Sequence, residues 1–207
     1  MRNAVFVLVF FWVMGTFISF GTVLSTKLSV NRPINDRVSV VLDTRWDYDK
    51  TQSRYYHAGA GLSQSLADDW VGGVFYRVIT KRSSAQWTDE HRPYGQLEKR
   101  LRGPWVDVRV RYRAEYRLRD SEDNTVRNRA RLMVRAASTW TQFLPFVSNE
   151  WFFSEDEYSK NWFIIGSRLP KIGQVSPSVY YKNVATKDSN GICWKEPVHT
   201  ITMSLRF

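Results

Sequence analysis

The sequence predicts an all-β fold, an antiparallel, up-and-down transmembrane β-barrel of about ten strands. Three observations carry this. Between residues 106 and 119, Val106, Val108, Val110, Tyr112, Ala114, Tyr116 and Leu118 occupy one parity, and Asp107, Arg109, Arg111, Arg113, Glu115, Arg117 and Arg119 the other. Successive side chains of a strand point to opposite faces, so this segment has one apolar and one charged face. Wound as a helix, the same residues would spread charge around the whole circumference. The second observation is that the pattern returns along the chain, separated by turn-forming residues. The third is an apolar leader at one end and an alternating apolar run to Phe207 at the other.

The elements follow in order. Met1-Arg2-Asn3 gives a positive start, residues 4–20 are almost wholly apolar, and Gly21, Thr22 and Ser25 are small or polar. That is the plan of a secretory signal peptide, read here as residues 1–25 with cleavage near Val23-Leu24-Ser25; a retained anchor is the alternative. Residues 26–207 are read as the barrel, one domain of ordinary size. No strand is assigned to residues 26–35. In the first strand, Val38, Val40, Leu42, Thr44, Trp46 and Tyr48 alternate with Arg37, Ser39, Val41, Asp43, Arg45 and Asp47. Less regular strands fit 54–66, 70–82 and 90–101. The strand from 105 to 120 forms a long hairpin with the next, where Val126, Ala130, Leu132, Val134 and Ala136 alternate with Arg127, Arg129, Arg131 and Arg135. The polar link 120–125 between them is turn chemistry. Strands at 141–153, 160–172 and 174–186 follow. The last carries Ile201, Met203, Leu205 and Phe207 on one parity.

Links at one end (49–53, 83–89, 120–124, 154–159, 187–196) are expected to be longer than those at the other (near 68–69, 102–104, 138–140 and 173). Long outer loops and short periplasmic turns mark outer-membrane barrels. Aromatics are expected in two girdles, with Trp46, Tyr48, Tyr116 and Trp162 above and Trp70, Trp105, Trp140 and Phe207 below. A soluble periplasmic barrel with the apolar parity inside, binding an apolar ligand, is the competing reading. It would have to bury ten apolar faces rich in Trp and Tyr in one interior. The alternating Ile201, Met203, Leu205 and Phe207 resemble the C-terminal recognition signal of bacterial outer-membrane proteins. The localisation expected is therefore the outer membrane. The partners expected are outer-membrane lipid, lipopolysaccharide and the barrel-assembly machinery.

The hairpin Tyr112-Arg113-Ala114-Glu115-Tyr116-Arg117 with Val126-Arg127-Asn128-Arg129-Ala130-Arg131, the run Phe146-Val147-Ser148-Asn149-Glu150-Trp151-Phe152 and the Phe207 end carry a family resemblance. Together they resemble the outer-membrane protein family catalogued as domain of unknown function 2490. The resemblance implies an exported β-barrel and carries over no catalytic residue.

If the apolar parity faces lipid, the charged parity faces a lumen. Arg109, Arg111, Arg113, Arg117, Arg127, Arg129, Arg131 and Arg135 would then share it with Glu115 and, from a neighbouring strand, Glu150. So many positive charges need counter-charge in a narrow space. Asp43, Asp47 and Glu98 lie on strands that supply some of it. Two readings follow: an Arg–carboxylate network bracing the barrel, or an anion site or pore using the surplus charge. Catalysis is not expected, because His57 or His199 with Ser63 or Ser204 form no motif, and an isolated His57 or His91 near a loop is ordinarily solvated. With 30 Lys and Arg against 20 Asp and Glu, the formal charge is +10. Nucleic acid is nonetheless rejected as a partner, since the Arg residues share a strand parity and export removes the chain from the cytosol. Lys81 and Arg82 near an outer loop suit loop solubility better than lipopolysaccharide phosphates. The single Cys193 and three dispersed His argue against a metal site, and no cofactor is expected. Glu155-Asp156-Glu157 is read as a solvated acidic loop.

Overall fold

The computed structural model describes residues 23–49, 52–83, 86–120, 123–137, 143–154, 157–187 and 193–207. The apolar leader up to residue 22, Trp140, Glu155 and Asp156 lie outside them. The period-two pattern is realised as eleven strands: β1 (Val23–Pro33), β2 (Val38–Asp49), β3 (Gln52–Ala67), β4 (Trp70–Ser83), β5 (Gln86–Arg102), β6 (Val106–Arg119), β7 (Thr125–Ala136), β8 (Leu144–Ser154), β9 (Glu157–Arg168), β10 (Ser176–Thr186) and β11 (Val198–Arg206). Each pairs with its neighbour in the chain, and β1 pairs with β11 to close the barrel. Closure is parallel, with Val23 opposite Thr200 and Ser29 opposite Arg206. The odd count dictates this. In an up-and-down sheet all odd-numbered strands run the same way, so the first and last run together. Phe207 locks the seam, its N–H donating to the Ser29 carbonyl at 2.9 Å.

The count of ten is corrected to eleven. The added strand, β1, places Leu24, Leu28 and Val30 on the parity of Leu42 and Ser25, Lys27 and Ser29 on that of Asp43. Its apolar residues run straight on from the leader, which masks the alternation. Val23, Leu24 and Ser25, assigned to the end of the leader, are its first three residues.

The expected inequality of the links is not found. The strands run into three of the predicted upper loops and leave 50–51, 84–85 and 155–156 there, beside the longer 120–124 and 187–197, whereas the lower end carries 34–37, 68–69, 103–105, 137–143 and 169–175, so the two ends are similar in total. Polar residues such as Thr88 and Asp89 sit in the ladder, opposite Lys81 and Thr80. They were misread because polarity alone was taken for loop. The strand expected over 160–172 stops at Arg168, beyond which Gly173 turns with a φ of 60°. At the tight link before β4, Asp69 has a φ of 65°, a conformation that short polar residues tolerate.

The apolar parity faces outward. Val74 is 65% exposed and Trp105 69%, and Val110, Tyr112, Tyr116, Val126, Leu132 and Ile165 share the outer surface. The apolar parity therefore does not line a cavity, as a soluble ligand-binding barrel of this pattern would require. Inside, the sheet is held by large side chains among small ones. A Cβ on Gly61 would lie 2.3 Å from the Phe75 ring, so only glycine there lets Phe75 lie across the wall. Phe75 in turn stacks on Tyr94 at 4.9 Å. One girdle residue is corrected: Trp162 points inward, its ring 4.7 Å from that of buried Phe152. Apolar residues on both parities of β9, Trp162 and Ile164 inward against Phe163 and Ile165 outward, hid its direction.

Candidate functional site

The charged residues singled out from the sequence converge on the inner face of β6, β7 and β8. Glu115 is the hub. Its Oε1 accepts from Arg129 at 2.6 Å and Arg113 at 3.3 Å, and its Oε2 from Arg127. Glu150 Oε1 accepts from Arg111 at 2.7 Å and pairs with Arg129 at 2.9 Å. Arg129 therefore clamps two carboxylates from two strands at once. Planar guanidinium groups suit this because they donate along several directions and keep their proton.

The network extends through residues that sequence reasoning missed. Glu90 on β5 is fully buried and takes Arg92 at 2.6 Å and Arg117 at 2.6 Å. Lys81 reaches it at 3.5 Å, and Arg92 also reaches Glu115 at 3.5 Å. The connected set thus joins Lys81, Arg92, Arg111, Arg113, Arg117, Arg127 and Arg129 to only Glu90, Glu115 and Glu150. Seven cations on three carboxylates leave a positive surplus of four. Aromatic faces sit beneath the guanidiniums: Arg113 lies 4.3 Å from the Tyr94 centroid and Arg129 4.4 Å from that of Phe152. Such stacking stabilises a desolvated cation. A signal for Glu90 and Arg92 was present, since i, i+2 opposite charges on one parity pair along a strand. Arg45 and Asp47 on β2 repeat it at 2.6 Å.

The remaining sequence-predicted arginines lie nearer the lower mouth. Arg135 pairs with Asp107, and Arg109 approaches Glu98 at 3.9 Å, which Arg100 holds at 2.7 Å. Arg131 has no ion pair among the described residues, and its guanidinium donates to the Met133 sulfur at 3.5 Å. Ile201, Met203, Leu205 and Phe207 all lie on the outer face, away from this network, with Phe207 exposed.

His57 is not solvated as expected; it is buried in the wall. Its Nε2 lies 2.9 Å from Asp43 Oδ2 and its Nδ1 3.0 Å from the Tyr55 hydroxyl. Arg77 holds the same Asp43 oxygen at 2.9 Å. Period two places His57 inside because Gly59, Gly61 and Tyr55 share its parity. Ser63 is six residues along β3, about 20 Å away in an extended strand, so this serine is not brought to this histidine. His91 and His199 are both outside, against the hydroxyls of Tyr76 and Tyr181. Cys193 is exposed in the last link.

Among known proteins, the model of a family described as protein of unknown function (DUF2490) matches residues 24–195, which run from β1 to the link before β11. No curated protein and no solved structure matches the chain.

Proposed function

The chain belongs to the DUF2490 family of proteins of unknown function, and on that premise we propose that it is a bacterial outer-membrane β-barrel whose closed, cation-rich lumen binds small anions. One observation carries the reading: an apolar face turned outward around the barrel, against a charged face turned inward. A water-soluble barrel is stabilised by the opposite arrangement, because apolar surface is driven out of water. All strands are long enough to cross a bilayer when tilted, the shortest having 9 residues. Glu115, Arg113, Arg129, Glu150 and Phe152 fill the interior, which favours a plugged scaffold over a wide pore.

In this reading an N-terminal signal peptide exports the chain, the outward Ile201, Met203, Leu205 and Phe207 stripe engages the barrel-assembly machinery, and lipid and lipopolysaccharide surround the barrel. The Asp43–His57–Tyr55 array is a structural tie, and the protein is not an enzyme. The test is cell fractionation followed by electrophoresis with and without boiling. A band in the outer-membrane fraction that migrates differently unboiled is expected. A soluble periplasmic band with no heat shift would overturn the reading. In planar bilayers the protein should show no large steady conductance, and an open channel of porin size would overturn the closed lumen.

A further inference from the structure

The wall formed by β8 to β11 and β1 collects neutral donors with nothing to receive them, whereas the unpartnered donors Arg77 Nε, Arg113 Nε and Arg135 Nε of the Arg-rich side belong to guanidiniums already paired with carboxylates through another nitrogen. The Ser25 and Ser148 hydroxyls and the indole N–H of Trp162 are buried without a hydrogen-bond partner among the described residues, and the Thr202 hydroxyl, also buried, has the Tyr180 phenol beside it. Lys182 lies among them, 4% exposed. Its Nζ sits 4.5 Å from the centre of the Trp162 ring, and it forms no ion pair among the described residues. The registers make these residues neighbours. Lys182 is opposite Thr200 on β11, and Thr202, two residues on, is opposite Ser25 on β1. Lys182 is also opposite Ile164 on β9, which is opposite Ser148 on β8. Residues on one face of adjacent strands, directly or diagonally opposed, lie within side-chain reach, which joins Lys182 to Thr202 and Trp162, then Thr202 to Ser25 and Trp162 to Ser148.

The charge around Lys182 does not cancel its own. Its electrostatic neighbours are Arg45 and Lys160 on one side of the balance and Asp47 and Glu150 on the other. Asp47 is held by Arg45, and Glu150 by Arg111 and Arg129. A buried ammonium without a counter-charge is costly, as are buried donors without acceptors. An ammonium and an indole N–H can only donate, and hydroxyls can donate too. The set therefore has more donors than acceptors to receive them and carries one uncompensated positive charge. A cation does not match it, and a divalent phosphate brings one charge too many. A carboxylate matches on both counts. Phe146 and Tyr180, with rings 6.2 Å apart on the same wall, supply an apolar flank for an attached organic group.

We propose that this wall is a binding site for a small organic carboxylate, with Lys182 as its counter-charge and Ser25, Thr202 and Trp162 as neutral donors. The proposal rests on the anion-binding lumen and specifies its ligand class. The experiment uses the full barrel purified in detergent, with thermal unfolding followed by the loss of the fast unboiled band. Sodium benzoate, sodium acetate, sodium phosphate and sodium chloride are compared at equal ionic strength, in the wild type and in Lys182→Met and Trp162→Phe. Binding to the folded state alone raises the unfolding midpoint in proportion to ligand concentration over Kd. Benzoate should raise the wild-type midpoint above the chloride control by several degrees. That rise should vanish in Lys182→Met and weaken several-fold in Trp162→Phe, which keeps the ring and loses the N–H. An equal rise in wild type and Lys182→Met would overturn the site. So would a wild type that responds to benzoate no more than to chloride, and a response to phosphate alone would overturn the ligand class. Should Lys182→Met fail to fold, Trp162→Phe carries the same comparison. The heat shift of the ligand-free barrel reports separately on the membrane-barrel reading.

Discussion

The two halves of the lumen wall solve the problem of buried charge differently. From β5 to β8, every buried carboxylate is shared among several guanidiniums, and each oxygen of Glu115 has an arginine on it. From β9 round to β1, the buried cation has an aromatic ring and unpartnered donors instead. In the first half shared carboxylates brace the barrel; in the second no carboxylate is paired with the buried cation, and the anion proposed above would take that place. Density of charge alone therefore does not mark a binding site, since the walls differ in whether carboxylates share the cations.

The comparison breaks most visibly at the hub. Glu115→Gln leaves Arg113, Arg127 and Arg129 buried around a neutral amide. The expected loss is about 3–5 kcal/mol, the cost of stripping one partner from a buried ion pair. Urea unfolding of the detergent-solubilised barrel measures it, and an unchanged midpoint would mean that the network is not a brace. Lys182→Met, in ligand-free protein, should leave that midpoint unchanged or raise it, because it removes a charge that nothing compensates.

The outer face supplies the next largest effect. Leu132→Arg puts a charge on the outward side of β7, where an arginine costs about 2–4 kcal/mol near a bilayer midplane. On a water-exposed strand the same change would fall within about 0.5 kcal/mol. Refolding into lipid vesicles at graded urea separates the two. Smaller again is Gly61→Ala, whose new methyl meets the Phe75 ring and should cost about 1–3 kcal/mol. Gly95→Ala, whose methyl would meet only the Gly73 carbonyl at 4.0 Å, is its near-neutral control. The smallest effect belongs to the rim, where Arg102 pairs with Asp69 at 2.7 Å while 69% exposed. Arg102→Ala should change stability by less than about 1 kcal/mol, and added salt should erase the difference.

Much of this was legible in the sequence, and what was missed has physical causes. The β6–β7 hairpin could be read outright, because Arg and Val alternate there without a fault. That Arg113, Glu115 and Arg129 share one face follows from that parity alone. Strand β1 was lost because Leu24 and Leu28 merge with an apolar leader. Trp162 went to the wrong face because β9 is apolar on both parities there, Trp162 and Ile164 inward against Phe163 and Ile165 outward, so alternation gives no direction. Lys182 gave no signal at all. It stands alone in a strand of Val, Tyr and Asn, and its significance lies in what fails to meet it from four other strands. Pairing of neighbours along a strand is visible in one dimension; vacancy across a closed wall is not.

The parallel seam between β1 and β11 also fixes a sidedness. Val23 lies at the rim that carries the β10–β11 link, and Phe207 at the other. The chain thus threads the barrel in an odd number of traverses. Anything joined ahead of Val23 emerges on the face opposite to anything joined after Phe207. With Phe207 toward the periplasm, a short epitope placed in the β10–β11 link, at the Val23 rim, would be reachable by antibody on intact cells, and one placed after Phe207 only once the outer envelope is opened.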